Sequence, residues 1–289
     1  MAMTEQVNNY LCTMRMRTDA MIGAIAGDII GSPYEFNGVK ASRFRMFDRH
    51  CRYTDDTVLT VAIADWLSDQ SIGLQDYLVR YARTYYWAGY GGMFRKWSRL
   101  RTPKPYNSYG NGSAMRVSAV SCYADSIEEA MHLAEETALP THNHSEGIKG
   151  AQATCVAAYL ARTGQTKPEI KAKLQELFDY DLNRSFADLL AEGYKFHVTC
   201  QETVPPALIS FFESESYEDC IVKAILTNKD TDTAAAVAGA VAGAYYGIPD
   251  AIKEQALSHL TDEMKQVIVK FEEKLQQKTY AYECMPPRK

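Results

Sequence analysis

Thr233-Ala234-Ala235-Ala236-Val237-Ala238-Gly239-Ala240-Val241-Ala242-Gly243-Ala244-Tyr245-Tyr246 decides the fold class. The stretch follows a helical pattern and is the most apolar in the chain, yet it is too short to cross a bilayer and carries two glycines. Gly239, Gly243 and Gly247 recur every four residues, as do Gly23, Gly27 and Gly31 near the other end. Residues at i and i+4 share a helix face, so each set forms a smooth stripe that admits a neighbouring backbone. Glycine costs about 1 kcal/mol against alanine inside a helix, and close packing or a sharp helix end must offset that. Helix packing explains most of these glycines better than ligand contact does, and it brings the two regions together at the centre.

The same periodicity extends along the chain. Asp125-Ser126-Ile127-Glu128-Glu129 opens a helical run ending near Pro140, Ile148 to Ala161 stops at Gly164, and Lys167 to Phe178 begins with Pro168. Tyr217 to Leu226, Pro249 to Leu260 and Thr261 to Leu275 add three more helices. The best strand candidate, Tyr194 to Thr199, is weak. The expected fold is all-α, a single large helical domain over residues 21–280. Residues 1–20 are expected to be a poorly ordered extension and residues 281–289 a tail.

Chemistry concentrates just before two of the helical runs. Thr54-Asp55-Asp56-Thr57 and Asp230-Thr231-Asp232-Thr233 each place two carboxylates and flanking hydroxyls at a helix N-terminus. The helix dipole favours ionised carboxylates there. Oxygen-only ligands suit hard divalent cations such as magnesium or manganese. A single acidic N-cap is ordinary; two matching doublets fit either capping or a two-part metal site. Upstream, Asp28 and Glu35 sit just before and after a helix end.

The loops offer further candidates. Tyr109-Gly110-Asn111-Gly112-Ser113-Ala114-Met115-Arg116 runs into a helix, where free N–H groups can cradle phosphate oxygens, although Gly-Asn-Gly is equally a plain turn. Thr141-His142-Asn143-His144-Ser145-Glu146-Gly147 lacks a matching second His or Cys pair, which favours a substrate-lining or capping loop over a zinc site. Arg95, Lys96, Arg99, Arg101 and Lys104 interleave with Phe94 and Trp97. That run is a solvated face or a contact surface for a phosphorylated, protein or nucleic-acid partner.

Composition narrows the class. Of 289 residues, 46% are hydrophobic and 23% charged, values ordinary for a globular protein. A net charge of −5 argues against general nucleic-acid binding. The seven cysteines are scattered without a Cys-x-x-Cys pair, which argues against zinc ribbons and disulfide frameworks and fits a reducing, cytoplasmic setting. The N-terminal residues begin no secretory segment.

Taken in order, these motifs resemble the ADP-ribosylglycohydrolase family, which includes the dinitrogenase reductase-activating glycohydrolases. The resemblance runs from about Met21 to Phe271. It rests on Gly23-Ala24-Ile25-Ala26-Gly27-Asp28 through Glu35, then Tyr53-Thr54-Asp55-Asp56-Thr57 and Ala88-Gly89-Tyr90-Gly91-Gly92. It continues through Gly110 to Arg116 and Thr141 to Gly150, and closes with Asp230-Thr231-Asp232-Thr233. It implies an all-α fold with two magnesium or manganese ions in a central cleft. Thr54, Asp55 and Asp56 would supply ligands from one side, and Asp230, Asp232 and Thr233 from the other. Glu35 matches the mobile catalytic glutamate, outside the ligand set. Gly112 and Ser113 match the diphosphate-binding loop, and His142 and His144 the loop beside ADP-ribose. Asp28, Gly91, Gly110, Asn111 and Met115 fall among the substrate contacts.

The implied activity is metal-dependent hydrolysis of the glycosidic bond at C1″ of an ADP-ribosyl group, releasing ADP-ribose from modified protein, with arginine linkage favoured. Alternatives are hydrolysis of small conjugates such as O-acetyl-ADP-ribose, or ADP-ribose binding without catalysis. No membrane partner is implied, nucleic-acid-linked ADP-ribose is not favoured, and a monomer is expected. Three positions depart from the family pattern: Asn228-Lys229 stands where many relatives carry a glycine pair, and Ser145 where a proline commonly follows the His-x-His motif.

Overall fold

Every residue from Asp19 to Gly31 is buried, so the first helix is a core element with no solvent face. The computed structural model describes residues 18–193 and 195–283. It contains fourteen α-helices among them. The first five are α1 (Asp19–Gly31), α2 (Asp55–Ser68), α3 (Leu74–Thr84), α4 (Gly92–Trp97) and α5 (Ser118–Tyr123). Then come α6 (Ile127–Ala138), α7 (Ser145–Arg162), α8 (Lys167–Phe178), α9 (Phe186–Ala191) and α10 (Cys200–Phe212). The last four are α11 (Tyr217–Thr227), α12 (Thr231–Tyr246), α13 (Asp250–Ser258) and α14 (Asp262–Glu283). No strand occurs among the described residues; Gly110 and Thr199 form an isolated antiparallel bridge where the weak strand candidate lay.

The centre of the molecule is the α1–α12 pair, the most extensive helix contact in the fold. Residues 231–244 of α12 are all buried. A Cβ at Gly23 would collide with the Gly239 carbonyl, one at Gly27 with the Ala235 carbonyl, and one at Gly243 with the Asp19 carbonyl. The two glycine stripes therefore face each other and bring backbone against backbone. Gly247 does something different from its stripe partners. It ends α12 at φ 74° and meets only the tip of Asp19, so it serves as the sharp helix end.

Around this pair, α7, α10 and α11 pack on α12, and α5 packs on α1. The α2 helix is flanked by α3 and α14. One continuous hydrophobic core runs from Ala20 to Leu275. No helix among the described residues is long and apolar enough to cross a membrane. Residues 1–17, most of the expected extension, lie outside the described residues, as do residues 284–289 of the expected tail. Thr18, Asp19 and Ala20 are buried, and α1 starts two residues before the expected Met21 boundary.

Candidate active site

The N-terminus of α2 carries the first acidic doublet. Thr54 is the N-cap, and its hydroxyl oxygen accepts from the Asp56 N–H at 3.3 Å. Asp28 of α1 lies behind it. Its carboxylate accepts from the Thr54 N–H and hydroxyl at 2.9 and 2.7 Å, and from the Thr57 N–H and hydroxyl. All four bonds bind α1 to the start of α2. Asp28, expected among the substrate contacts, is fully buried against the two threonines and is not among the residues that line the cavity.

The second doublet opens α12. Asp230 occupies the N-cap position, yet its side chain makes no capping hydrogen bond. One oxygen instead accepts from the Asn111 carboxamide at 2.7 Å, which ties the glycine loop to the acid cluster. Asp232 accepts from the Thr233 N–H at 2.9 Å, and the Thr231 hydroxyl donates to the Gly31 carbonyl at 2.8 Å. The Thr231 bond seats the start of α12 on the end of α1, beside the turn that bears Glu35. Capping thus accounts for Thr54 but not for the Asp230 carboxylate.

Both doublets open on one cavity of about 550 Å³. Asp55, Asp56, Asp230, Asp232 and Thr233 line it with Glu35. Gly91, Gly110, Asn111, Gly112, Met115 and His142 line it as well. Thr54, Ser113 and His144 do not. Ser113 is fully buried and donates to the Gly147 carbonyl at 2.7 Å. His144 caps α7, its Nδ1 accepting from the Glu146 N–H at 3.1 Å, and its ring lies 5.2 Å from that of Tyr109. Sequence reasoning missed Phe36, Tyr106, Ser108 and Phe196, which also line the cavity. Three of them flank recognised motifs, Phe36 after Glu35 and Tyr106 and Ser108 before the glycine loop. Phe196 lies in the weak strand candidate, which carried no sign of a cavity-lining role.

These carboxylates cannot all be charged in an empty cavity. Burial, then Asp28 and Asp55, push Asp56 well above the usual carboxylate range. Burial, then Asp230 and Asp56, do the same to Asp232. Asp55 is pushed up to about 8 by burial and Asp28. Glu35 is pushed up to about 7 by burial and Asp230, with Arg52 opposing. One oxygen of Asp56, a residue only 3% exposed, is buried without a hydrogen-bond partner among the described residues. Such an orphan is costly unless something positive meets it. One oxygen each from Glu35, Asp230 and Asp232 lies within 4.8 Å of the others, a spacing able to hold one cation. Oxygen donors alone suit a hard divalent ion. The residues therefore fit a metal, and Glu35, expected outside the ligand set, lies within reach of one.

Known proteins resemble this chain in sequence and in fold. A family model described as ADP-ribosylglycohydrolase matches residues 15–283. ADP-ribosylhydrolase ARH3 of Mus musculus is 26% identical, over 79% of this chain and 83% of that protein. Its Homo sapiens counterpart is 26% identical, over 79% and 84%. ADP-ribosylarginine hydrolase Tri1 of Pseudomonas putida (strain GB-1) is 23% identical, over 79% and 70%. A solved structure described as an ADP-ribosylglycohydrolase-related protein complex matches with a TM-score of 0.67 at 23% identity, covering 91% of this chain and 99% of that one, and it carries the same fold. With a family match across nearly its whole length, the chain belongs to the ADP-ribosylglycohydrolase family, whose members hydrolyse glycosidic bonds of ADP-ribose conjugates.

Proposed function

We propose that this protein removes ADP-ribose from modified protein by hydrolysing the glycosidic bond at C1″, with an arginine-linked substrate favoured. The observation that carries the reading is the meeting of the two acidic helix ends on one cavity, which Glu35 and the Gly110–Gly112 loop line as well. The name of the Pseudomonas relative, an ADP-ribosylarginine hydrolase, supports the arginine linkage.

Asp55, Asp56, Asp230, Asp232, Thr54 and Thr233 are the proposed metal ligands. Thr54 sits behind the cavity, and its hydroxyl proton points to Asp28, which leaves a lone pair for a cation. Two Mg²⁺ or Mn²⁺ ions bound there would orient the ribose hydroxyls and polarise the sugar. Gly110, Asn111, Gly112 and Met115 form the wall proposed to hold the diphosphate, with Ser113 bracing that loop from behind. Gly91 and His142 line the remainder. Glu35 holds or moves a proton at its carboxyl, which burial and Asp230 push up in the metal-free cavity. It serves the attacking water or the leaving group as the sugar passes through an oxocarbenium-like transition state.

The test is release of ADP-ribose from an ADP-ribosyl-arginine peptide, run beside serine-linked and nucleic-acid-linked conjugates and O-acetyl-ADP-ribose. Fastest turnover of the arginine peptide supports the reading. Turnover of O-acetyl-ADP-ribose alone replaces the protein substrate with a small molecule, and no turnover of any conjugate removes the catalytic reading.

A further inference from the structure

Among the described residues Arg116 is the largest fully buried side chain, and no carboxylate pairs with it there. Its Nε and Nη1 have no hydrogen-bond partner among the described residues. Its Nη2 has two: the Thr137 carbonyl and the Thr141 hydroxyl, each at 2.8 Å. A buried, unpaired guanidinium is costly and calls for a reason. The Thr141 hydroxyl, also fully buried, lies 2.7 Å from His142 Nδ1. The three side chains thus form a continuous line, Arg116 to Thr141 to His142, and both of its ends are among the residues that line the cavity.

The chemistry of that line fixes its direction. Arginine only donates, so the Thr141 oxygen must accept from Nη2. The single proton of the hydroxyl then needs an acceptor, and His142 Nδ1 is the one within reach. Were Nδ1 protonated instead, it too would donate to Thr141, and the hydroxyl proton would be buried with no partner. Burial and the adjacent guanidinium both disfavour a charged imidazole, holding His142 well below its usual range. The ring is therefore neutral, and its one proton sits on Nε2.

That nitrogen faces the glycine loop. It lies 3.1 Å from where a Cβ at Gly112 would stand and 3.6 Å from one at Gly110, and it makes no hydrogen bond among the described residues. We propose that Arg116 and Thr141 are positioning residues that lock His142 as the Nε2–H tautomer, presenting a fixed hydrogen-bond donor to an oxygen of the ligand held by the Gly110–Gly112 loop. The identity of that oxygen as one belonging to ADP-ribose rests on the function proposed above; the tautomer does not.

The tautomer is read on the free protein by long-range ¹H–¹⁵N spectra of histidine-labelled material, and affinity by calorimetry with ADP-ribose. In the wild type, Nδ1 should resonate as an unprotonated and Nε2 as a protonated nitrogen. Thr141→Val, close in shape but without the hydroxyl, should shift His142 towards the other tautomer or a mixture and weaken ADP-ribose binding about tenfold, as loss of one well-placed hydrogen bond does. Thr141→Ser should keep both properties near wild type. A wild-type His142 protonated at Nδ1 overturns the proposal even if no variant folds. So does a Thr141→Val protein with unchanged tautomer and affinity. A wild type with the expected tautomer that fails to bind ADP-ribose leaves the relay standing and removes the functional reading instead.

Discussion

Asn228 pairs with His197 through its side chain as a strand would through its backbone. Its Oδ1 accepts from the His197 N–H at 3.1 Å and its Nδ2 donates to the His197 carbonyl at 3.2 Å. Oδ1 also accepts from the Asp230 N–H at 3.0 Å. Lys229 continues the ladder, its N–H donating to the Lys195 carbonyl and its carbonyl accepting from the Phe36 N–H. The Phe36 and Phe196 rings, both lining the cavity, then stack with their centroids 5.2 Å apart. The two residues that depart from the family's glycine pair thus fasten the 195–197 segment to the turn bearing Glu35. Neither needs the freedom of glycine: Asn228 is extended at φ −140°, and Lys229 is not among the residues at positive φ. Phe36 is, at φ 66°.

Asn228→Gly should therefore loosen this fastening rather than restore a better turn. Three hydrogen bonds from one buried side chain predict a loss of about 2 kcal/mol in chemical denaturation. Hydrogen exchange should speed up at residues 195–199 and hardly at all in α1. Wild-type stability and exchange in the variant would mean the ladder contributes nothing.

The glycine stripes make a sharper packing prediction. Gly27→Ala forces a Cβ into the Ala235 carbonyl, with backbone on both sides and no side chain free to yield. Destabilisation should reach ~3 kcal/mol or more, beyond ordinary overpacking. Gly73→Ala, with only the tip of Asp76 nearby, should change stability by less than about 0.5 kcal/mol. Equal melting of the two variants would contradict the α1–α12 contact.

How much of this was legible in the sequence follows from period and distance. The Gly23-Gly27-Gly31 and Gly239-Gly243 spacing is a local signal, and it foretold the central helix pair. The α10 helix left no such signal, because Pro205 and Pro206 argue against a helix interior that tertiary packing nonetheless maintains. The acidic doublets could be read as site or cap; only the Asn111–Asp230 bond, spanning 119 positions, separates these readings for Asp230. That Thr54 and Thr57 fold back onto Asp28 has no local signal either, because those bonds span 26 and 29 positions.

The acid cluster makes the metal-free protein sensitive to alkali in a defined window. Below the ordinary carboxylate range, folded and unfolded chains are both protonated. As pH rises, the unfolded chain ionises first, while the fold retains protons at Glu35 until about 7 and at Asp55 until about 8. The folded state then binds more protons, so stability falls as pH climbs from about 4 to about 8. Melting of EDTA-treated protein across that range should show the decline. Mg²⁺ at a hundredfold excess over its Kd should add about 2.7 kcal/mol at neutral pH. Stability that rises with pH in the stripped protein would refute the cluster's electrostatics.

Glu35→Gln and Asp232→Ala should part company. The first should lower turnover at least about a hundredfold by removing a proton carrier, while the Mg²⁺-induced rise in melting temperature persists. The second should lose both. Should Glu35→Gln also lose the rise, Glu35 acts chiefly as a ligand, as its distance to Asp230 and Asp232 permits.

The most direct test is chromatographic detection of ADP-ribose released from an ADP-ribosyl-arginine peptide by wild-type protein stripped with EDTA, before and after Mg²⁺ or Mn²⁺ is restored. The two acidic helix ends, acting as one metal-dependent hydrolytic site, predict no release from the stripped protein and full release on restoring the ion. Undiminished release by the stripped protein would contradict that account.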